Sequence, residues 1–414
     1  MKLRLPFAMA SLVFVASSPA LAADGYVAQN FVANKASYKP QLAQEKNFIN
    51  GWGIAIRPKG AGGHFWVTAK DVSYEYVGDV QASAEPALQK LYQDKLKVVK
   101  LPVGGNDKFA TGTVFSDSTD SFIITQTIVG KEPITAPAKF LFASDGGIIS
   151  AWTERKHADG SLDRSGSATT VIDQSKDGAQ FFGLAINARY DRLYAADFGA
   201  KPGIKVFDGT FKPLSVTFAM PFDDNKNGLV DPGEYAPFNV QALATPSGEQ
   251  HLFVTYAKTQ PCPNEAIAKG TCKKGALFVG EEDTSKPGMG RLAEFTEEGS
   301  LVAVWPDAGK LSAPWGIAYA PANFGKLSNT LLVGNFGDGT IAAFDAESHR
   351  FVDYMRQPNG TLLTIDKLWG ILFGNGESLG DANALYYAAG PNDEKDGVFG
   401  SIRATALISF RKQK

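Results

Sequence analysis

Apolar and polar residues alternate with a period of two along many short runs of this chain, and glycine, aspartate and asparagine separate the runs. Alternation of this kind favours β-strands. The four clearest runs combine an aromatic residue, a glycine and aliphatic residues, at residues 51–56, 182–186, 314–319 and 368–373. A turn and a second apolar run follow each of them, at residues 64–68, 192–197, 330–335 and 384–389. We therefore predict a repeated pair of antiparallel strands.

The same unit recurs more loosely in two other places, at residues 111–115 with 122–125 and at residues 238–242 with 251–255. The best-formed units add a third strand, at residues 203–208 and 339–345. Six such units predict an all-β fold, a single six-bladed β-propeller over residues 23–414. Radial repetition suits such units because it leaves few exposed strand edges.

Long loops are expected on the faces of this propeller. Six units share the chain at about 65 residues each, whereas a compact blade needs only ~40–45. The surplus falls chiefly at residues 78–105, 154–180, 222–237 and 258–290. Residues 85–97 come nearest to a helical period, and we predict one short surface helix there.

The aromatic–Gly–Ile–Ala runs, each followed by a strand such as Leu-Tyr-Ala-Ala-Asp at residues 193–197, resemble those of NHL-repeat propellers. The segments LVGNFGDG at residues 332–339 and AGPND at residues 389–393 look like those of an exported bacterial family of NHL-like proteins. This resemblance implies a six-bladed propeller in a secreted or periplasmic location. It brings no catalytic residues with it.

The composition agrees with strands and turns. The chain has 43 glycines and 28 phenylalanines in 414 residues, and 44% of its residues are hydrophobic, so a large core can form. The formal net charge is −2, without long runs of one sign. This charge argues against nucleic acid or an anionic membrane as the main partner.

The first 22 residues have the features of an export signal. Lys2 and Arg4 precede a mostly apolar run at residues 5–15, and Ala20 and Ala22 form a small-x-small cleavage site. The alternative is a membrane anchor. After cleavage we expect no integral membrane segment and a secreted or periplasmic monomer, because no second apolar run has the length of a spanning helix.

Only two cysteines occur, Cys262 and Cys272, and they lie ten residues apart in a loop-like stretch. In an exported protein such a pair predicts a disulfide. A redox or zinc role is disfavoured because the spacing is not C-x-x-C and no histidine lies in the loop.

The most specific motif is at residues 223–234, which match the calcium-loop pattern D-x-[DN]-x-[DN]-G-x5-E at every required position. The predicted oxygen ligands are five side chains and one backbone carbonyl, those of Asp223, Asn225, Asn227, Asp231 and Glu234 and of Leu229. Gly228 permits the sharp turn at the sixth position. We predict that Ca²⁺ binds here and has a structural role.

The sequence around this motif does not have the two long helices of an EF-hand, since Pro221 precedes it and Pro237 follows it. We therefore interpret it as an EF-hand-like loop inserted between two blades. The alternative is a surface turn that binds nothing.

Other motifs carry less weight. The four histidines, His64, His157, His251 and His349, form no H-x-H or H-E-x-x-H pair. Residues 376–380 match the nucleophile pattern G-x-S-x-G and residues 288–293 match a loose dinucleotide fingerprint, but the predicted context is β-strands without the helix that each needs.

The predicted first strands place seven polar and aromatic residues near one mouth of the central channel: Asn50, Trp52, Phe182, Asn239, Gln241, Trp315 and Trp369. In lactonase-type propellers, which are also six-bladed, such a channel holds a divalent metal. Oxygens for such a metal are available here from Asn239, Asn335, Asn375, Asp338 and Asp393. The alternative is that the tryptophans pack between blades and the Asn and Asp side chains cap turns.

Two functions follow from these patterns. The first is an exported, calcium-stabilised binding or scaffold module for an extracellular protein, glycan or small molecule. The second is a metal-dependent hydrolase or lyase whose site lies in the central channel. Carboxylate and amide oxygens that converge in the channel favour the enzyme, and a channel filled by aromatic rings favours the binding module.

Overall fold

The computed structural model describes residues 24–405, so the export signal predicted at residues 1–22 lies outside the described part of the chain. The regular secondary structure of the described chain is almost entirely β-strand. In the amino-terminal half these are β1 (Tyr26–Ala33), β2 (Ala43–Gln44), β3 (Gly51–Ala55), β4 (Phe65–Ala69), β5 (Val72–Tyr76), β6 (Val98–Lys100), β7 (Ala110–Phe115), β8 (Ile123–Gln126), β9 (Ile134–Pro137), β10 (Phe140–Ser144), β11 (Ile148–Trp152), β12 (Glu154–Lys156), β13 (Leu162–Arg164), β14 (Thr169–Asp173), β15 (Phe181–Ile186), β16 (Arg192–Asp197) and β17 (Gly203–Asp208).

The second half continues in the same way. Its strands are β18 (Tyr235–Ala244), β19 (Gln250–Pro261), β20 (Leu277–Glu282), β21 (Gly290–Phe295), β22 (Leu301–Val304), β23 (Pro314–Tyr319), β24 (Thr330–Asn335), β25 (Ile341–Asp345), β26 (Phe351–Tyr354), β27 (Leu368–Phe373), β28 (Leu385–Ala389) and β29 (Val398–Ala404). The helical segments of residues 24–405 are one α-helix and three 3₁₀ turns, namely α1 (Asn264–Ala268) and Ala36–Tyr38, Pro86–Gln89 and Ser175–Asp177.

Six of the sheets are the blades of the predicted six-bladed propeller, and their pairing is antiparallel except where the short β2 joins β1 in parallel. From the axis outwards, blade 1 is β3–β6, blade 2 is β7, β10, β11 and β14, and blade 3 is β15–β17. Blade 4 is β18, β19, β21 and β22, blade 5 is β23–β26, and blade 6 is β27, β28, β29 and β1. Two additional hairpins, β8–β9 and β12–β13, are inserted in blade 2.

Blade 6 closes the ring by joining both ends of the described chain. Strand β1 pairs antiparallel with β29, from Tyr26 opposite Ala404 to Ala33 opposite Val398. The amino-terminal strand is therefore the outer strand of the last blade, and this pairing holds blade 6 in the ring.

The glycine that follows the aromatic residue in four of the first strands, at residues 53, 183, 316 and 370, allows neighbouring blades to approach closely at the axis. A methyl group on Gly53 would lie 2.4 Å from the carbonyl oxygen of Thr111 in the next blade. A methyl group on Gly370 would lie 2.6 Å from the carbonyl oxygen of Trp52, on the other side of the ring closure. The repeated motif thus reflects the narrow axis, which has no room for a side chain at these positions.

Two predictions about local structure are wrong. Residues 85–97 form only the 3₁₀ turn Pro86–Gln89, followed by extended chain. The second strand of blade 2 is not at residues 122–125, because β8 pairs with β9 in an inserted hairpin, and β10 takes the place beside β7.

Candidate binding face at the channel mouth

The central channel is crossed by packed aromatic rings from the first strands. Trp52 stacks on Trp369 with ring centroids 3.7 Å apart, and it meets the edge of Phe182 at 5.4 Å. Phe238 packs on Trp369 at 5.6 Å, and Trp315 meets Trp369 edge-on at 6.0 Å. We call these five buried rings the aromatic layer. It brings together the channel aromatics that the sequence placed at one mouth.

Asn50 connects the aromatic layer to the loop of blade 6. Its Oδ1 accepts a hydrogen bond of 2.9 Å from the indole of Trp369, and its Nδ2 donates to Glu394 at 2.8 Å. Asn50 has a φ of 48°, in the region that non-glycine residues rarely adopt, and it is almost fully buried. Both partners belong to blade 6, and they hold this left-handed backbone in place.

A cavity of about 290 Å³ lies above the aromatic layer, at the end of the channel where the first strands begin. We call it the mouth cavity. Five carboxylates line it, those of Asp107, Asp145, Glu281, Glu282 and Glu394, together with Lys108. Its lining is thus negatively charged, which favours cationic over anionic groups.

Burial favours the neutral, protonated form of three of these carboxyl groups. Desolvation, with a smaller contribution from the nearby Glu394 carboxylate, raises the pKa of Glu282 to about 8. Burial also raises the pKa of Glu394, against the hydrogen bond from Asn50. It raises that of Asp145 to about 6, although the backbone N–H of Phe109 donates to that carboxylate. Carboxyl groups with raised pKa values are frequent at functional sites.

The mouth cavity is partly covered by the insertion of blade 4, residues 258–290. Strand β19 runs on beyond the blade, α1 follows, and β20 returns antiparallel to β19. Cys262 and Cys272 are joined in a disulfide with their Cα atoms 6.2 Å apart, and the bond ties the ends of this helical turn together. Gly280 lies against the side-chain amide of Gln180 from blade 3. The insertion therefore reaches from blade 4 across to blade 3.

The sequence did not indicate that Glu281 and Glu282 lie at the channel mouth. Both residues follow the disulfide in a segment without a recognisable motif. Their position depends on how β20 folds back on β19, which is a long-range pairing with no local signature. No sequence motif identifies Glu394 in the β28–β29 turn either, although its neighbour Asp393 is one of the predicted channel ligands.

The calcium-type loop, residues 223–234, closes on itself through its own side chains. The Asp223 carboxylate accepts the backbone N–H groups of Asn227 at 3.2 Å and Gly228 at 2.8 Å. The Glu234 carboxylate accepts those of Asn225 at 3.2 Å and Asp231 at 2.8 Å. These bonds draw the first and last carboxylates of the motif inwards across the loop.

The remaining ligand candidates gather around Asp231. The side-chain amides of Asn225 and Asn227 donate to its Oδ2 at 2.9 and 2.8 Å. Turning the Asn225 amide by half a turn exchanges its nitrogen and oxygen, so that an oxygen faces the same point. The loop thus offers the hard oxygen donors that Ca²⁺ takes, including the Leu229 carbonyl at the seventh position.

Within residues 24–405, no group of three or more His, Cys, Asp or Glu side chains is arranged to hold a metal ion. The carboxylates of Asp223, Asp231 and Glu234 are thus not gathered around one point as such a group, and the other ligand candidates of the calcium-type loop are two amides and a backbone carbonyl. Calcium would stabilise the closed loop by neutralising Asp223, Asp231 and Glu234 together.

Thr259 joins the calcium-type loop to the insertion. Its backbone N–H donates to the carbonyl of Glu234 at 2.8 Å, and its hydroxyl accepts the N–H of Gly233 at 3.0 Å. On the other side, Thr259 lies opposite Glu282 in the β19–β20 ladder. The calcium-type loop and the mouth cavity are therefore connected through one residue.

The Asn and Asp residues considered as channel metal ligands have other partners. Asn239 donates to the carbonyl of Trp315 at 2.8 Å. Asn335 and Asn375 accept backbone N–H groups, at 3.0 Å from Ser312 and from Leu379 respectively, and so cap turns. Asp338 caps its own turn in the same way, while Asp393 is exposed beside Lys395.

The weaker motifs occupy structural positions. His64 bonds Asp94 at 2.9 Å and His251 bonds Glu294 at 2.5 Å, so each has a carboxylate partner. Ser378 of the G-x-S-x-G match lies in the connection between β27 and β28, away from any helix of the described chain. Residues 288–293 of the fingerprint match enter strand β21.

Comparison with known proteins gives relatives of similar length but no family. No known protein-family profile matches the chain. "Uncharacterized protein R648" of Acanthamoeba polyphaga mimivirus is 27% identical over 372 residues, 88% of this chain and 78% of that protein. "Uncharacterized protein L690" of the same virus is 31% identical over 53% of this chain and 50% of its own length. Membership of the NHL group therefore stays a prediction.

Among solved structures, "Structure of Dos1 propeller" aligns with 87% of this chain and 69% of its own, at a TM-score of 0.38 and 9% identity. The blade assignment given above rests on the strand pairing of this protein itself. Within residues 24–405, no helix has both the length and the apolar character to cross a membrane.

Proposed function

We propose that this protein is an exported, calcium-stabilised β-propeller that acts as a binding or scaffold module. Its partner, an extracellular protein, glycan or small molecule, would bind at the face that carries the mouth cavity. The observation that carries the proposal is the grouping of three features at this face, namely the calcium-type loop, the disulfide-bonded insertion and the mouth cavity. A propeller fold supports binding in general, since its long face loops surround a rigid ring.

The aromatic layer supports binding rather than chemistry in the channel. Its rings occupy the channel, and the Asn and Asp side chains proposed as metal ligands there have other partners or are exposed. In this proposal Ca²⁺ holds the calcium-type loop closed, and through Thr259 it fixes the base of the insertion.

Calcium titration of the metal-free, full-length mature chain tests this function. We expect heat of binding in isothermal calorimetry and a rise in melting temperature, because a ligand that binds only the folded state stabilises it. Glu234→Gln removes the bidentate ligand and should abolish both effects. Glu249→Gln is the matched control, because Glu249 is exposed in the turn at the other end of blade 4. Absence of heat in the wild-type protein would refute the calcium site.

A hydrolase or lyase is the second candidate, favoured by one observation. Glu282 lies with Glu394 in the lining of the mouth cavity, and burial raises its pKa to about 8, a shift that would suit a general acid. An aryl ester and an aryl lactone, each assayed with and without Ca²⁺, distinguish the two functions. Turnover that is lost in Glu282→Gln would overturn the purely binding role, and no turnover above the buffer rate favours the binding module.

A further inference from the structure

A second cavity, of about 320 Å³, lies on the other side of the aromatic layer. We call it the axial cavity. The first strands all run in one direction along the axis, and their later residues form its wall, including Ile54, Val114, Leu184, Val240 and Ile371. Because the mouth cavity is lined by residues at the beginnings of these strands, the two cavities are separate.

The axial cavity has no charged side chain in its lining. Aliphatic residues alternate with the neutral polar side chains of Thr113, Asn239 and Gln241. A charged ligand would lose its hydration here without gaining a counter-charge, which is strongly unfavourable. The volume lies at the lower end of the ~300–1,000 Å³ typical of small-molecule sites.

Two polar atoms in this wall lack partners. The indole Nε1 of Trp315 has no hydrogen-bond partner although this residue is only 5% exposed. The buried Oε1 of Gln250 also has none. Buried polar groups of this kind are nearly always hydrogen-bonded. We therefore expect each of these two atoms to bond a molecule in the cavity.

Neighbouring polar groups do not meet this need, because the protein already uses them. Asn239 donates to the carbonyl of Trp315 at 2.8 Å, and the Oε1 of Gln241 accepts the N–H of Ile317 at 3.3 Å. The wall therefore presents a buried, unpaired donor at Trp315 and a buried, unpaired acceptor at Gln250 within an uncharged and largely apolar space.

We propose that the axial cavity binds an uncharged small molecule that carries a carbonyl or hydroxyl acceptor for Trp315 and an amide or hydroxyl donor for Gln250. The apolar wall buries the carbon skeleton of this ligand, and the two polar atoms orient it. The site does not depend on calcium or on the mouth cavity, since the aromatic layer lies between them.

A matched series of sugars tests this proposal on the full-length mature protein with ¹⁵N-labelled tryptophan. N-acetylglucosamine is neutral and has both an amide donor and a carbonyl acceptor, glucosamine is a cation, and glucuronate is an anion. We expect N-acetylglucosamine to shift the Trp315 indole resonance, identified with Trp315→Phe. The two charged sugars should bind at least about tenfold more weakly. The indole of Trp305 is the internal control, since it already donates to Glu294 at 3.1 Å.

Gln250→Leu tests the same site without disturbing the packed core, because Gln250 is only half-buried. It should weaken N-acetylglucosamine binding by about tenfold while the melting temperature stays near that of the wild type. No shift of the Trp315 indole with N-acetylglucosamine would overturn the proposal and leave ordered water as the partner of both atoms. Equal shifts with the charged sugars would overturn it as well.

Discussion

The backbone N–H of Thr259 donates to the carbonyl oxygen of Glu234 at 2.8 Å, and this bond joins the last residue of the calcium-type loop to the strand that carries the insertion. The Thr259 hydroxyl adds bonds to the backbone of Gly233 and Asp231, at 3.0 and 3.2 Å. Order in the calcium-type loop is therefore coupled to order at the channel mouth.

This coupling predicts that Ca²⁺ slows amide hydrogen exchange in residues 259–283, well outside the calcium-type loop. Thr259→Val removes the hydroxyl bonds, which costs about 1 kcal/mol, and should reduce the calcium effect on these amides. Thr259→Ser keeps the hydroxyl and serves as the control. Exchange measured by mass spectrometry that responds equally in both variants would contradict the coupling.

Glu75 predicts an unusual dependence of stability on pH. It is fully buried in strand β5, neither carboxylate oxygen has a partner, and burial raises its pKa well above the usual range. Below the unfolded pKa of about 4.3 the group is protonated in both states, so its effect is constant. Above this pH only the unfolded state ionises, and stability falls by about 1.4 kcal/mol per pH unit until the folded pKa is reached.

Urea denaturation between pH 4 and pH 8 checks this. Glu75→Gln should remove the decline and be more stable than the wild type at neutral pH. Glu347→Gln, at an exposed site in the turn after β25, should leave the profile unchanged. Parallel pH profiles for the wild type and Glu75→Gln would show that Glu75 is ionised in the folded protein.

The buried ion pair between Arg403 and Asp79 is predicted to stabilise the ring closure. Arg403 in β29 donates to Asp79 at 2.5 Å, and the Tyr386 hydroxyl donates to the same carboxylate at 2.5 Å. Asp79 lies in the connection between β5 and β6 of blade 1, so the pair joins the first and last blades. Asp79→Ala leaves a buried guanidinium with only Asp381 as a counter-charge, at 3.2 Å, and should cost about 3 kcal/mol.

A double variant distinguishes the effect of the ion pair on stability from the effect of lost side-chain packing. Arg403→Met combined with Asp79→Ala should recover part of the loss in denaturant unfolding, because no charge is then left buried. Asp353→Ala breaks the pair with Arg356, which is about half exposed, and should cost less than about 1 kcal/mol. A double variant less stable than Asp79→Ala alone would contradict this account.

The disulfide is predicted to act locally. Cys262→Ser with Cys272→Ser should increase exchange in the insertion by an amount equivalent to about 2–3 kcal/mol, the entropy of closing a short ring. The six blades lie outside this ring, so the melting temperature of the propeller should change little. A large fall in that temperature would show that the insertion is part of the cooperative core.

The sequence predicted those parts of the fold that local patterns encode. The aromatic–Gly–apolar runs identified four of the first strands, because the close approach of neighbouring blades at positions such as Gly53 and Gly370 favours that pattern. The second strand of blade 2 was misplaced because β8, in the inserted hairpin, has the same alternation as a blade strand. Nothing local distinguishes the two, since the choice depends on pairing with β7.

The candidate site was predictable only in part for a similar reason. The calcium motif is contiguous, so spacing alone located it. The mouth cavity combines Glu282, Glu394 and Asp145 from three blades, and only the closed ring brings them together. Local sequence patterns do not predict the pairing of β1 with β29 either, because the two strands come from opposite ends of the described chain.

That pairing has a consequence for how the protein assembles. Blades 1 to 5 are each built from consecutive stretches of chain, so they can form in order as the chain emerges. Blade 6 needs residues 26–33 and residues 398–404 at once, and such a long-range contact is slow to form. The propeller therefore stays an open arc until residues 398–404 have been made, and we expect ring closure to be a slow step of its folding.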